Sequence, residues 1–266
     1  MGAMKPGLVL TDRRTGLPSV RFAGAPLLRP FTPRNLPSLK LWLAADRIAG
    51  LSDGDPVTTW SDLSGQGNHA TQSTPSAKPL YKVGIANGRP GVLFDGVDDF
   101  LSLPVALATM LVTTTAKTVF VVAKWVVVGN TVVIIGASNG GGSNRFAIRS
   151  ITPTDRWEFL YTTGSAATTA TGATPAPSTT TAQVAEVVQS GTSLIGLANG
   201  SVIATVNDAG SEATATAGSL GAHPNGASQL ANVYLMEVVA DSAGLSASDR
   251  ARVRRYLGAK YSVAVS

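Results

Sequence analysis

The sequence predicts an all-β sandwich, and three observations lead there. Short apolar stretches with a period of two recur along the chain, bounded by Gly, Asn, Asp and Pro. Charged residues make up only 14% of the composition, with Thr, Ala, Ser, Val and Gly in their place, a balance that favours strands and loops over solvated helices. A single helical pattern occurs, late in the chain, with no strand–helix alternation before it, which argues against a doubly wound α/β fold. A chain of 266 residues can enclose one large core or two smaller ones. A jelly roll, two sheets closed over one core, accommodates this many strands.

Residues 1–37 stand apart from the rest. They hold Lys5, Arg13, Arg14, Arg21, Arg29 and Arg34 against Asp12 alone, so the formal charge of +5 resides here. The 15 basic and 15 acidic residues of 38–266 cancel. Six of the fifteen prolines also fall in this segment, which is expected to run extended and to be unable to build a core. It reads as a docking arm, with Arg13, Arg14, Arg21, Phe22, Arg29, Phe31 and Arg34 as its contact residues. Nucleic acid is the weaker alternative partner, because the cations are spaced apart and no aromatic stacking series accompanies them.

From residue 38 onward the body begins, and it reads as one domain to residue 266. "LKLWLAAD" (39–46) is the first strand, "VTTWSDL" (57–63) the next, and "GVLFDGVDDFLSLP" (91–104) a strand, a tight turn and a strand. "TVFVVAKWVVVGNTVVIIGAS" (118–138) is β-branched and broken by Gly129-Asn130, which predicts a buried hairpin and not a membrane span. "NRFAIRS" (144–150) and "DRWEFLYTT" (155–163) are shorter strands. "SLIGLANGSVIATV" (193–206) is a hairpin turning at Asn199-Gly200, where a type I′ turn needs positive φ twice. "ANVYLMEVVAD" (231–241) is the last strand. Two Thr/Ala/Gly-rich stretches, 164–182 and 207–227, read as long surface loops with short edge strands. The helix lies in 246–261: Ser246 caps it, Asp249 completes a capping box, and Val253, Tyr256, Leu257 and Tyr261 form its apolar stripe. Its arginines and Lys260 fall mostly off that stripe, as a solvated face would place them. Lys124 and Glu237 are lone charges on apolar strands, so each must be paired, with one another for instance, or open to solvent.

Several chemistries are excluded or disfavoured. The chain has no cysteine, hence no disulfide framework, thiol nucleophile or Cys-ligated metal. Its two histidines, His69 and His223, sit apart in Gly/Asn/Pro-rich surroundings and read as loop residues. The first sixteen residues lack the apolar core of a secretory signal. None of the four glutamates (Glu158, Glu186, Glu212, Glu237) has an acidic residue two positions away, so no paired-carboxylate strand of a glycosidase is present.

An ordered set of motifs carries a resemblance. "LKLWLAAD", "VTTWSDLSGQGNHATQ", "KPLY", "NGRPGVLFDGVDDFL" and "LSASDRARVRRYLGAKYSV" together resemble the concanavalin A-like lectin/glucanase superfamily, in its LamG-like jelly-roll branch. The resemblance covers 39–104 and 231–263. It implies a jelly-roll β-sandwich with one C-terminal helix and an extended N-terminal arm, in a superfamily of lectins, glycosidases, adhesion modules and virion proteins. In similar proteins the Trp60–Asn68 loop and the Phe94–Asp99 turn are structural corners. Asp62 and Asn68 suit Asx-type turns, as do Asp95, Asp98 and Asp99 where two strands meet. The alternative for these acids is a calcium site, although they do not match a D-x-[DN]-x-[DN]-G loop; no other cofactor is implied.

These residues bear on three function classes. A glycan binder needs an aromatic platform, and Trp157, Phe159 and Tyr161 share one face of their strand, either as core or as such a platform. An enzyme is disfavoured for want of paired acids. A structural virion protein reconciles a fold that operates outside cells with the missing secretory signal. The sequence reading is therefore a non-enzymatic bacteriophage virion surface protein, of the head or tail. It docks through the arm to other virion proteins and displays a lectin-like sandwich, with host-surface glycans as ligands. A homo-oligomer, by analogy a trimer, is expected. The runner-up is a bacterial LamG-like carbohydrate-binding or adhesion module.

Overall fold

The computed structural model describes residues 8–11, 18–21, 30–139, 145–163, 166–172, 175–207, 214–224, 226 and 228–266. The chain divides into two units, Met1–Phe31 and Thr32–Ser266, each taken by itself below. In the first, β1 (Leu8–Thr11) pairs antiparallel with β2 (Pro18–Arg21), Leu8 opposite Arg21 and Thr11 opposite Pro18. Of the expected arm contacts, Arg13, Arg14, Phe22 and Arg29 lie outside the described residues, and Arg21 is described by its backbone alone.

The body starts at Thr32, ahead of the composition change after Pro37, because Leu36 is already buried and Arg34 donates its Nε–H to the Leu63 carbonyl. Arg34 is thus a body residue and not part of the arm. The chain then alternates between two sheets. β3 (Leu39–Ala44) enters the first sheet, and β4 (Thr59–Trp60) and β5 (Ala70–Thr71) enter the second. β6 (Leu80–Ala86) and β7 (Arg89–Asp95) return to the first, β8 (Leu101–Leu103) to the second, and helix α1 (Val105–Thr113) follows. β9 (Ala116–Trp125) is in the first sheet. β10 (Val132–Ser138), β11 (Arg145–Ile151), β12 (Arg156–Thr163) and β13 (Ala166–Gly172) run in sequence through the second. β14 (Gln183–Ser190), β15 (Ser193–Ala198) and β16 (Ser201–Val206) go back to the first, β17 (Ala217–Leu220) to the second, and β18 (Asn232–Asp241) to the first before helix α2 (Ala247–Tyr261).

The first sheet is ordered β16-β15-β14-β9-β18-β7-β6, with β3 beside the second half of β18, and the second β13-β12-β11-β10-β17-β8-β5-β4. The pairings are antiparallel, so this is an all-β sandwich. The segment 118–138 is not a hairpin: β9 and β10 belong to different sheets, and Gly129-Asn130 carries the chain across the sandwich. The same holds for β7 and β8. The β15–β16 hairpin does form, with Asn199 at φ 51° and Gly200 at φ 88°, the two positive values a type I′ turn requires.

One core fills the space between the sheets. β9 contributes Val119, Val121, Ala123 and Trp125, and β18 contributes Val233, Leu235, Val238 and Ala240. From the opposing sheet come Phe146 and Ile148 on β11 and Trp157, Phe159 and Tyr161 on β12. Trp125 and Trp157 meet edge to face across the sandwich at 4.6 Å. Gly196 on β15 faces Phe159 so closely that a Cβ there would lie 2.1 Å from the ring.

The alternate residues of the first sheet are buried too, which is why its central strands are apolar on both faces. Trp42, Phe120, Val122, Val184 and Val239 belong to this outer set, and with them lie two carboxylates, Glu186 and Glu237, both 0% exposed. Helix α2 covers this face with Val253, Leu257 and Tyr261. Its N-terminus is capped as expected, Ser246 Oγ accepting from the Asp249 amide. Two arginines of the helix turn inward, contrary to the expected solvated face, because Glu186 is there. Arg250 Nη1 lies 3.0 Å and Arg254 Nη1 2.7 Å from its two oxygens. Glu237 accepts from Lys260 Nζ (2.7 Å), Tyr261 OH (2.8 Å) and Trp42 Nε1 (2.7 Å). Its partner is therefore Lys260, while Lys124 is half-buried on the same sheet. Breaking such a buried pair leaves a charge without water or partner. Glu186→Ala is expected to lower the unfolding free energy by about 3 kcal/mol, read as a fall in the urea midpoint, because it strands two guanidinium groups.

A further buried titratable group, Lys117, lacks an acidic partner among the described residues. Its Nζ donates to the Thr114 carbonyl and lies over the rings of Tyr161 (4.8 Å) and Phe146 (5.8 Å). Burial pushes its pKa down to about 7. The folded state therefore binds this proton less tightly than the unfolded chain, so stability rises with pH from about 7 toward the ordinary lysine value. Below about 7 the full cost of charging the amine is present. Lys117→Met is expected to stabilise the protein at pH 6 by on the order of 2–4 kcal/mol and to flatten that rise, measured by thermal melts across pH 6–10.

Candidate functional site

The loop Ser61–His69 closes the free edge of β3. Leu63 N–H donates to the Trp42 carbonyl at 2.7 Å, and Trp42 N–H donates to Asp62 Oδ1 at 2.9 Å, so the loop substitutes for a neighbouring strand. Asp62 also accepts from the amides of Ser64 and Asn68 and from Ser64 Oγ. Asn68 Nδ2 donates to the Lys40 carbonyl, and His69 Nδ1 accepts the Asp62 amide. Asp62 and Asn68 are thus consumed in making the corner, the structural role expected of them. Gly65 (φ 92°) and Gly67 (φ 75°) supply the left-handed turns the loop needs.

Asp95, Asp98 and Asp99 are brought together after β7, each offering an oxygen within 4.8 Å of the others. Asp99 Oδ2 accepts the Asp95 amide, and Asp95 Oδ1 accepts the Val97 amide. Burial, followed by the charges of Asp95 and Asp98, pushes the Asp99 pKa up to about 6 against the opposing hydrogen bond. Calcium requires six to eight oxygens at 2.3–2.6 Å. Two of the oxygens here already serve backbone amides, and the turn is held by those bonds.

Trp157, Phe159 and Tyr161 are each 0% exposed, inside the sandwich. They offer no face to a sugar ring, because the face they share is the one that meets the opposite sheet. Tyr161 OH donates to the Val112 carbonyl of α1, which ties β12 to the helix.

Among the described residues, three clefts offer surfaces for a ligand. A shelf of about 180 Å³ on the second sheet is lined by Thr58, Thr59, Thr71, Gln72, Ser73 and Ser102, with Thr59, Thr71 and Ser102 in a cross-strand hydroxyl row. A second cleft, about 300 Å³, lies between the Gln66–Asn68 loop and α1 and is lined also by Lys40 and Met110. The third, about 280 Å³, is formed by Thr32, Arg34, Trp42, Arg47 and Leu63. Its parts come from β3, from the covering loop and from two single-turn 3-10 helices, Pro33–Asn35 and Ala45–Arg47. The Thr32 amide donates to Asn35 Oδ1, which fixes the first of these turns and so the base of Arg34. Sequence reading missed this cleft because Arg34, Trp42, Arg47 and Leu63 follow no motif; only the strand-edge pairing brings them together.

Two antiparallel sheets over one core, with a C-terminal helix on the outer face, define a jelly-roll-type β-sandwich. No protein-family model matches the sequence, and no curated protein matches it. Solved structures match in fold. Domain 4 of AbnA, an extracellular GH43 arabinanase from Geobacillus stearothermophilus, solved in complex with arabinotriose, is similar at TM-score 0.60 and 12% identity over 79% of this chain and 95% of that one. Trypanosoma rangeli sialidase is similar at TM-score 0.56 and 16% identity over 84% of this chain and 33% of that one. The binding domain of Paraclostridial Mosquitocidal Protein 1 is similar at TM-score 0.60 and 8% identity over 85% of this chain and 53% of that one. The chain therefore spans nearly all of the arabinanase domain, a third of the sialidase and about half of the mosquitocidal protein's binding domain. Identities this low establish a common fold and leave activity to be argued from residues.

The acidic turn makes its own prediction. Because the Asp99 pKa is raised on folding, the folded state holds that proton more tightly, and stability falls as pH rises from about 4 to about 6. Asp99→Asn keeps an acceptor for the Asp95 amide and removes the charge. It is expected to abolish that fall, worth about 1–3 kcal/mol, in melts recorded between pH 4 and 7.

Proposed function

We propose that the body is a non-catalytic carbohydrate-binding module. The observation that carries this reading is the likeness to Domain 4 of AbnA, a domain solved with arabinotriose, 95% of which the match covers. The described glutamates support the absence of catalysis. Glu158 pairs with Arg149 at 2.6 Å, Glu186 with two arginines and Glu237 with Lys260, so each is committed to holding the fold. Glu212 lies outside the described residues. Asp99 and Asp241, the described carboxyls whose pKa burial raises as a general acid's would be, line none of these three clefts.

In its finer form, the proposal places the module on the surface of a bacteriophage virion, with the Met1–Phe31 unit docking it to other virion proteins. What supports this is the charge asymmetry of the chain and its division into two units at Phe31–Thr32. Two measurements test the proposal. On a glycan array the full chain is expected to bind a subset of oligosaccharides while releasing no reducing sugar from them. An array without binding, or release of reducing ends, overturns the module reading. For the finer reading, a chain lacking residues 1–31 is expected to fold but to be lost from purified particles; normal incorporation overturns the docking role.

A further inference from the structure

The Arg34–Arg47 cleft carries a charge pattern that identifies a ligand class. It is lined by the apolar side chains of Trp42, which is 6% exposed, and Leu63, together with Thr32 and two arginines, Arg34 and Arg47. The acids nearest in the chain and in the fold are already engaged. Asp46 lies 2.7 Å from Lys260 and 3.5 Å from Arg89. Glu237 is bound by Lys260, Tyr261 and Trp42, and Asp62 is turned onto backbone amides. Arg34 and Arg47 therefore have no acidic partner among the described residues. Arg34 is also oriented in advance, since its Nε–H is donated to the Leu63 carbonyl at 2.9 Å, which leaves its two Nη groups for another acceptor. A planar donor pair held in place beside apolar side chains suits a carboxylate attached to a ring.

We propose that this cleft binds an acidic sugar, a carboxylate-bearing pyranose of the uronic or nonulosonic class. The carboxylate is held by Arg34 and Arg47, and the ring lies against Trp42 and Leu63. This rests on the carbohydrate-binding reading above and adds the charge of the ligand and the residues that select it. The volume, about 280 Å³, admits one or two sugar rings and not a protein segment. A neutral sugar leaves both guanidinium groups unanswered, so discrimination comes from the charge.

The experiment is isothermal titration of the full chain with trigalacturonic acid and with 3′-sialyllactose. Methyl-esterified trigalacturonate and lactose serve as their uncharged counterparts, and a free dicarboxylate, glutarate, as the non-sugar control. At least one acidic oligosaccharide is expected to bind, and its uncharged counterpart and glutarate to bind tenfold or more weakly. Arg47→Gln is expected to lower that affinity about tenfold while Arg47→Lys retains part of it, as the loss of a charge-assisted hydrogen bond would. Arg47 is the residue to vary because its side chain makes no ion pair among the described residues, although its charge acts on Tyr256 of α2; Arg47→Gln and Arg34→Gln, which loses the Leu63 contact, are each judged only with an unchanged melting temperature. Binding of the esterified and acidic oligomers with equal affinity overturns the inference and leaves the module reading standing. So does acidic-sugar binding indifferent to Arg47→Gln. Glutarate binding as tightly as the sugar overturns the sugar assignment, and failure of every glycan on the array overturns both readings.

Discussion

Two carboxylates removed from water, Glu186 on β14 and Glu237 on β18, fix how the second layer of this protein is assembled. A central sheet apolar on both faces needs cover on both. The opposite sheet covers one face, and α2 the other. Apolar contacts alone leave a helix free to slide or turn on such a surface. The buried acids remove that freedom, because each meets helix donors at one place only. Arg250 and Arg254 answer Glu186; Lys260 and Tyr261, further along the helix, answer Glu237. The acids sit two strand spacings apart, about 10 Å across the strands, with β9 between them, and are offset along it, Glu186 beside Phe120 and Glu237 beside Val122. The two anchors together therefore fix the position and the direction of the helix on the sheet. Desolvating the acids costs several kcal/mol each, so their contribution is to specify the arrangement more than to stabilise it.

That clamp also determines the cleft. Lys260, drawn to Glu237, takes Asp46 as a second partner, and Arg89 shares it. Asp46 is the acid immediately preceding Arg47 in the chain, and its capture leaves Arg47 unneutralised. On the other side, Asp62 is spent on the β3 edge, so Arg34 finds a carbonyl and no carboxylate. Two constraints of folding, a buried charge under the helix and an unpaired strand edge, thus leave two cations facing one small groove.

The parts of this structure legible in the sequence are those set by local geometry. Asn199-Gly200 announced its turn because few residue pairs accept positive φ twice, and Ser246 with Asp249 announced the helix start because the capping bonds span three residues. Asp62 and Asn68 were legible as corner residues for the same reason. What depended on distant pairing was not. The β9–β10 segment looks like a hairpin because its turn signal is local, whereas the switch between sheets is decided by what each strand finds beside it: β14 and β18 for β9, β11 and β17 for β10. Helix α1 was invisible because "VALATMLVT" is apolar all round and shows no period. Lys117 drew no notice in the sequence, since nothing in "AKTVF" tells that the strand's first inward position is enclosed by Phe146 and Tyr161. The cleft itself, spread over four segments between Thr32 and Leu63, had no signature to read.

Placing the aromatic residues of β12 in the core has a consequence for how such a module would hold a ligand. The Trp125–Trp157 contact joins the two sheets, and Phe159 fills the space opposite Gly196, so these rings serve cohesion and none is left as a flat exposed platform. Recognition then falls to polar and charged groups beside apolar side chains. Such a site gains specificity from its donors but buries little area, and the affinity of one copy is correspondingly modest. Display in many copies would compensate, since linked sites bind with an effective concentration that a single site lacks. Under the proposed reading, a β-sandwich with a small groove lined by two arginines and a basic N-terminal segment would suit multivalent display. In that arrangement the fold has to hold the groove in a fixed orientation and need not enclose the ligand.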